Sequence, residues 1–61
     1  MIPSSAAAVA AYDAAEKMFP GMIFNFRFER YESGAYWYAF HRKDQPAPYY
    51  IRVAREGVTP V

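Results

Sequence analysis

Aromatic side chains that alternate with polar ones dominate the middle of this chain. Ten of its twelve aromatic residues lie between Phe24 and Tyr50, and the segment 24–29 (FNFRFE) repeats with a period of two. That period is typical of a β-strand with one buried face and one face in water. The sequence therefore predicts a small aromatic sheet. Each face of that sheet is expected either to be buried under another element or to form an interaction surface.

The short length of the chain limits how that sheet is stabilised. A domain of 61 residues buries only about 60% of its unfolded surface. The chain has no cysteine and a single histidine, His41, so disulfides and thiolate metal sites are excluded. No metal site and no cofactor is predicted. Aromatic residues, which bury roughly 150–250 Å² each, or self-association are expected to supply the missing stability.

An alanine-rich segment precedes the sheet. Residues 6–19 contain seven alanines, and alanine is the best helix former. Ser4 or Ser5 can cap the start of a helix, and Pro20-Gly21 ends it because proline disfavours helical geometry before it. The sequence predicts a helix over about residues 5–19.

The remaining residues read as a meander of strands. Apolar patterning predicts strands at about 22–31, 35–42 and 49–55, with a frayed tail at 57–61. The expected architecture is a single α+β domain over residues 1–61, in which one N-terminal helix packs on a three-stranded antiparallel meander sheet, α-β-β-β. One helix covers one face of such a sheet and leaves the other face open.

The hairpin loop decides which side chains are buried. The phenylalanines of the first strand, Phe24, Phe26 and Phe28, are expected under the helix. The second strand is apolar on both faces, so the loop length sets its register. A three-residue loop at 32–34 places Phe28 opposite Tyr38 and is favoured by the glycine at its end.

The two loop lengths predict opposite faces for the second strand. With the three-residue loop, Trp37 lies on the open face, between Glu29 and Arg52, and Arg52 stacks on its ring. A two-residue loop at 33–34 buries Trp37 instead. The side chains that it turns outward are those of Tyr36, Tyr38 and Phe40.

The open face is the candidate interaction surface, since tryptophan, tyrosine and arginine are enriched among binding hot spots. A stiff loop with two prolines follows the second strand, and Arg42 and Lys43 at its start are expected to add charge. The candidate partner-binding residues are Arg27, Tyr31, Trp37, His41, Arg42, Lys43, Tyr50 and Arg52.

Catalysis is not predicted. His41 has no positioned nucleophile or acid beside it in the sequence, and general acid–base catalysis needs such a partner. Asp13 and Glu16 are three residues apart on the polar face of the predicted helix, which is typical of a solvated helix surface. The chain is therefore expected to be no enzyme.

The balance of charge favours a protein partner over nucleic acid. Seven basic and six acidic side chains give a net charge of +1, whereas nucleic-acid binders carry a strongly basic field. The expected function is protein binding, including homodimerisation. Single-stranded nucleic acid stacked on the same face is the alternative.

In size and composition the chain resembles accessory proteins of phages and mobile elements, such as anti-CRISPR inhibitors and antitoxins. The resemblance implies a steric inhibitor. The absence of a membrane-spanning segment and of a signal peptide makes the cytoplasm the expected compartment.

Overall fold

The computed structural model describes residues 4–61, which form one helix and a sheet of four strands. The strands pair in chain order as an antiparallel meander, and the helix packs on one face of the sheet. The predicted α+β class is confirmed, whereas the predicted number of three strands is wrong. The elements are α1 (Ser4–Met18), β1 (Ile23–Glu32), β2 (Ala35–Arg42), β3 (Pro48–Ala54) and β4 (Gly57–Pro60).

The fourth strand is built from residues 57–61, which the sequence predicts as a frayed tail. Val58 lies opposite Val53 of the third strand. Beyond the strand, the backbone N–H of Val61 donates to the carbonyl oxygen of Tyr50 at 3.0 Å. The segment is therefore an edge strand of four residues, and such short strands are one way in which proteins close a sheet edge.

Helix α1 packs through a stripe of alanines. Ala7, Ala11 and Ala15 are fully buried, and their spacing of four residues keeps them on one face of the helix. Alanine has no bulk beyond Cβ, so the helix backbone can approach a sheet filled with large rings. The stripe packs on Phe40 and Ile51, the two large side chains that are completely buried.

The ends of α1 agree with the sequence in part. At the predicted stop, Pro20-Gly21, the glycine takes a φ of +71° and its N–H donates to Glu16 Oε1 at 2.9 Å. At the start, Ser5 is already inside the first turn, and the side chain of Ser4 lies outside the described residues. We call the sheet face that carries α1 the helix side, and the opposite face the outer face.

The β1–β2 hairpin turns through two residues, so the predicted three-residue loop is wrong. Glu32 lies opposite Ala35, and φ is +54° at Ser33 and +75° at Gly34. Positive φ at both central residues defines a type I′ turn, whose twist matches that of the flanking strands. The three-residue prediction assumed that glycine alone would take the left-handed conformation.

A bulge at Glu29 then restores the pairing that the three-residue loop was expected to produce. Phe28 lies opposite Tyr38, as predicted, and Arg30 lies opposite Trp37, so Glu29 has no residue opposite it. An inserted residue exchanges the faces of the residues beyond it. Tyr38 is therefore buried on the helix side and Trp37 lies on the outer face, although the two-residue loop alone predicts the reverse.

A second bulge lies in the first half of β1. Arg27 is opposite Ala39 and Phe24 is opposite His41, with a register shift between the two pairs. Asn25 takes a φ of +56° at this shift, a left-handed conformation that asparagine tolerates better than most residues. Phe24 thus lies on the outer face, and the prediction that the helix covers it is wrong.

The type I′ turn makes a stability prediction at Ser33. Because asparagine is favoured at the first central position of this turn, Ser33→Asn should raise the free energy of unfolding by about 0.5–1 kcal/mol. Ser33→Val should lower it, since β-branched residues are strained at positive φ. Urea unfolding followed by circular dichroism measures both changes, and equal stability of the two variants would contradict the turn geometry.

Candidate functional site

The outer face is the broad surface of the sheet that α1 leaves uncovered. Residues paired across neighbouring strands share a face, and Trp37 of β2 lies at its centre, between Arg30 of β1 and Arg52 of β3. The large side chains of this face are Phe24, Arg27, Arg30, Trp37, His41, Tyr50 and Arg52.

Arg30 covers the indole of Trp37. Its guanidinium carbon lies 4.5 Å from the ring centroid, within the range of a cation–π contact. The sequence predicted Arg52 in this role and Glu29 beside the ring, and the bulge at Glu29 substitutes Arg30. The Nε1 of Trp37 is buried and has no hydrogen-bond acceptor within residues 4–61. A buried donor without an acceptor costs about 1–3 kcal/mol.

Each arginine of the outer face is paired with a carboxylate. The paired side chains are partly exposed, so each pair contributes little to stability. The pairs matter more for the charge of the outer face, where three positive groups are balanced by three negative ones. The pairs are Arg27 Nε with Glu29 Oε1 at 3.5 Å, Arg30 Nε with Glu32 Oε1 at 2.6 Å, and Arg52 Nη1 with Glu56 Oε1 at 3.2 Å.

Small residues lie beneath these large side chains. Ala35 and Ala39 flank Trp37 on β2 and are fully buried, although α1 lies on the other side of the sheet. Their cover comes from the outer face itself, where Arg27 and Tyr50 are the cross-strand neighbours of Ala39. Arginine and tyrosine readily lay their apolar parts along apolar surface. The outer face is thus a layer of side chains already packed against one another.

An aromatic pair ends this layer beside the proline loop. The rings of Phe24 and His41 are 5.6 Å apart, and Phe24 is 46% exposed. His41 Nδ1 lies 3.2 Å from the carbonyl oxygen of Pro46, a distance at which an Nδ1–H group donates to it. The loop thus contacts the histidine ring, which in turn packs beside Phe24.

Tyr31 is one predicted partner-binding residue that the structure places elsewhere. It lies opposite Tyr36 on the helix side, with its ring 4.7 Å from that of Tyr36, because the bulge at Glu29 exchanges the faces beyond it. Lys43 is exposed in the loop after β2. The predicted residues that do lie together on the outer face are Arg27, Trp37, His41, Tyr50 and Arg52.

Arg42 also departs from its predicted role. Its guanidinium carbon lies 4.6 Å from the ring centroid of Phe19, and its Nε donates to Asp44 Oδ1 at 2.8 Å. The hydrogen bond from Arg42 lowers the pKa of the Asp44 carboxyl. The side chain is thus engaged within the fold, near the end of α1, and is not a free charge for a partner.

The sequence missed two residues of the outer face, Phe24 and Arg30. Strict alternation along β1 places both with the helix-side residues, and the two bulges reverse that assignment. Only Asn25 carried a signal, since asparagine is enriched at left-handed positions. A bulge predicted at Asn25 on this ground places Phe24 on the outer face, but it does not change the face assigned to Arg30.

Known chemistry and known relatives do not assign a role to this face. Across residues 4–61, no group of three or more histidine, cysteine, aspartate or glutamate side chains could hold a metal ion. In the same residues, no helix has the length and apolar character needed to cross a membrane. No family model, curated protein or solved structure matches the chain.

The Arg42–Asp44 pair predicts a specific acid sensitivity. The folded state lowers the pKa of Asp44 below its ordinary value of 3.8, so the pair stabilises the fold above that value and loses its effect as pH falls through the folded-state pKa. The Tm difference between the wild type and Asp44→Asn should therefore be constant near neutral pH and close in strong acid. Thermal melts at a series of pH values measure it, and a gap that persists in strong acid contradicts the assignment.

Proposed function

We propose that the protein is a non-enzymatic binding module whose outer face docks on a protein partner. The observation that carries this proposal is the combination of Trp37 under Arg30 with arginines that are all paired to carboxylates. Tryptophan, tyrosine and arginine are the residues most enriched among binding hot spots. Their side chains are held in place here before any partner arrives, which reduces the entropy lost on binding.

The unpaired indole N–H supports an acceptor on the partner. Trp37 Nε1 has no acceptor within the described residues, while Arg30 lies over its ring and pairs with Glu32. A partner carbonyl can accept from this indole N–H once a side chain that covers the buried nitrogen moves aside. Such a contact satisfies a donor that costs energy in the free protein, and central, desolvated contacts of this kind dominate interface energies.

The charge pattern disfavours nucleic acid as the ligand. Binding to phosphates relies on unpaired lysine and arginine side chains that release counterions. On the outer face a phosphate must first displace Glu29, Glu32 or Glu56 from its arginine, and each displaced carboxylate repels it. We propose a steric mode of action, in which the module occupies a surface of its partner, as accessory inhibitors of phages and mobile elements do.

An oligonucleotide titration tests the choice of ligand class. A labelled single-stranded oligonucleotide of mixed sequence, titrated at low salt and followed by fluorescence anisotropy, should show no saturable binding. Saturable binding that weakens steeply as salt rises is the signature of phosphate contacts. That result would replace the protein-binding proposal with a nucleic-acid function of the same face.

Two exposed aromatic residues of β1 offer a matched test of the surface itself. Phe24 is 46% exposed on the outer face and Tyr31 is 51% exposed on the helix side. Capture from an extract of the native host, quantified by mass spectrometry, should lose the partner about tenfold or more with Phe24→Ser, in line with loss of a hot-spot side chain. Tyr31→Ser should retain it.

The comparison needs both variants folded, which circular dichroism melts establish. Equal losses for Phe24→Ser and Tyr31→Ser would remove the outer face as the docking surface. Capture that disappears after nuclease treatment would show a nucleic-acid bridge instead of a direct protein contact.

A further inference from the structure

Three exposed apolar side chains of the helix side line a groove between α1 and β1. Val9 is 70% exposed, Phe28 is 55% exposed, and Tyr12 is 45% exposed. The prediction that the helix covers Phe28 is thus wrong: Phe28 lies on the helix side beside α1, but more than half of it stays exposed. We call this surface the α1–β1 groove, and the residues that line its middle are Ser5, Ala8, Val9, Tyr12, Phe26 and Phe28. Asp13 and Glu16 lie at one end of it, and Tyr36 and Tyr38 of β2 lie at the other.

The groove is continuous and almost wholly apolar. Two adjoining hollows share Ala8, one reaching Ser5 and Phe28 and the other reaching Asp13 and Glu16. The ring of Tyr12 packs edge-on against that of Phe26, with centroids 5.3 Å apart. A contiguous concave surface of this composition is typical of an interaction site and not of a solvated helix.

We infer that the α1–β1 groove is the interface between two copies of this chain, related by a two-fold axis that passes close to Val9. One wall of the groove is α1 itself, and its most exposed apolar residue, Val9, projects from that wall. In a two-fold interface the same patch meets itself. Two antiparallel α1 helices then bring the two Val9 side chains together at the axis, with the groove of each copy beside them.

Charge complementarity supports this arrangement. Asp13 lies four residues after Val9 and Ser5 lies four residues before it, so antiparallel helices centred on Val9 bring Asp13 of one copy to Ser5 of the other. The first turn of α1 has no acidic residue, and a helix N-terminus favours a nearby negative charge. The Asp13 side chain is well exposed, pairs with Lys17 of its own copy at 3.2 Å, and faces that N-terminus twice in the symmetric pair.

Self-association through the sheet edges is disfavoured. On one edge, β4 ends at Pro60, which has no N–H to offer to a further strand. On the other edge, β1 carries two bulges, and Arg27 Nη1 donates to the carbonyl oxygen of Asn25 at 3.2 Å. Bulges of this kind protect edges from pairing.

The inference goes beyond the proposed function and does not depend on it, because the groove and the outer face lie on opposite sides of the sheet. Sedimentation equilibrium of the full chain tests it directly. The wild type should shift from the 7.0 kDa monomer to twice that mass as concentration rises from about 10 μM to about 1 mM, the range expected for a small interface. A monomer throughout this range overturns the inference.

A matched pair of valine variants locates the interface. Val9→Lys places a charge in the groove at a site that is already 70% exposed. Val61→Lys places a charge just after β4, at a site that is 67% exposed. Val9→Lys should remain folded by circular dichroism and be monomeric, whereas Val61→Lys should dimerise like the wild type. Equal behaviour of the two variants overturns the assignment to the groove.

Asp13 and Lys17 provide a second, charge-based control. The two side chains pair at 3.2 Å within one copy, so Asp13→Asn and Lys17→Gln both break that pair. Only Asp13→Asn removes the carboxylate from the helix N-terminus of the second copy, and it should raise the dimer Kd roughly tenfold over its two symmetric contacts. An equal or larger weakening by Lys17→Gln contradicts the antiparallel geometry.

Discussion

The bulge at Glu29 is the constraint on which the rest of the sheet depends. The type I′ turn at Ser33 and Gly34 fixes a register in which Trp37 faces the helix, and one inserted residue reverses that outcome. Because side chains alternate strictly along a strand, the bulge decides the position of every large residue on β2 at once. Burial of Tyr38 and Phe40 beneath α1 is the gain that stabilises the irregular strand.

The core that results is thin, and its architecture explains why the alanines are needed. Among the side chains that the structure describes, only Phe40 and Ile51 are large and completely buried, so close contact between α1 and the sheet must supply much of the packing. Alanines on three successive turns of one helix face permit that contact. Small residues have the same effect on the outer face, where Ala35 and Ala39 leave room for large side chains to lie flat across β2. Both layers of the molecule therefore pair small residues on one element with large residues from its neighbours.

The sequence predicts the elements of this fold well and their irregularities poorly. Alanine content, Pro20-Gly21 and aromatic alternation are local signals, and they identify α1 and the first three strands to within one residue at each end. β4 was missed because a short segment with a proline carries little strand propensity and forms only against β3. The bulge at Glu29 was missed because it arises from competition between turn geometry and core burial. The prediction of the candidate site is limited in the same way, because strict alternation assigns Phe24 and Arg30 to the helix side and Tyr31 to the outer face.

The pairing of Arg27, Arg30 and Arg52 with carboxylates has a kinetic consequence. Paired charges cancel within a Debye length, about 8–10 Å at ordinary ionic strength, so the outer face projects little long-range field. Under the proposed function, a partner is not steered toward this face and associates at the basal rate of about 10⁵–10⁶ M⁻¹s⁻¹ expected without electrostatic guidance. Differences in affinity among such partners are then expected to lie in how long each complex lasts.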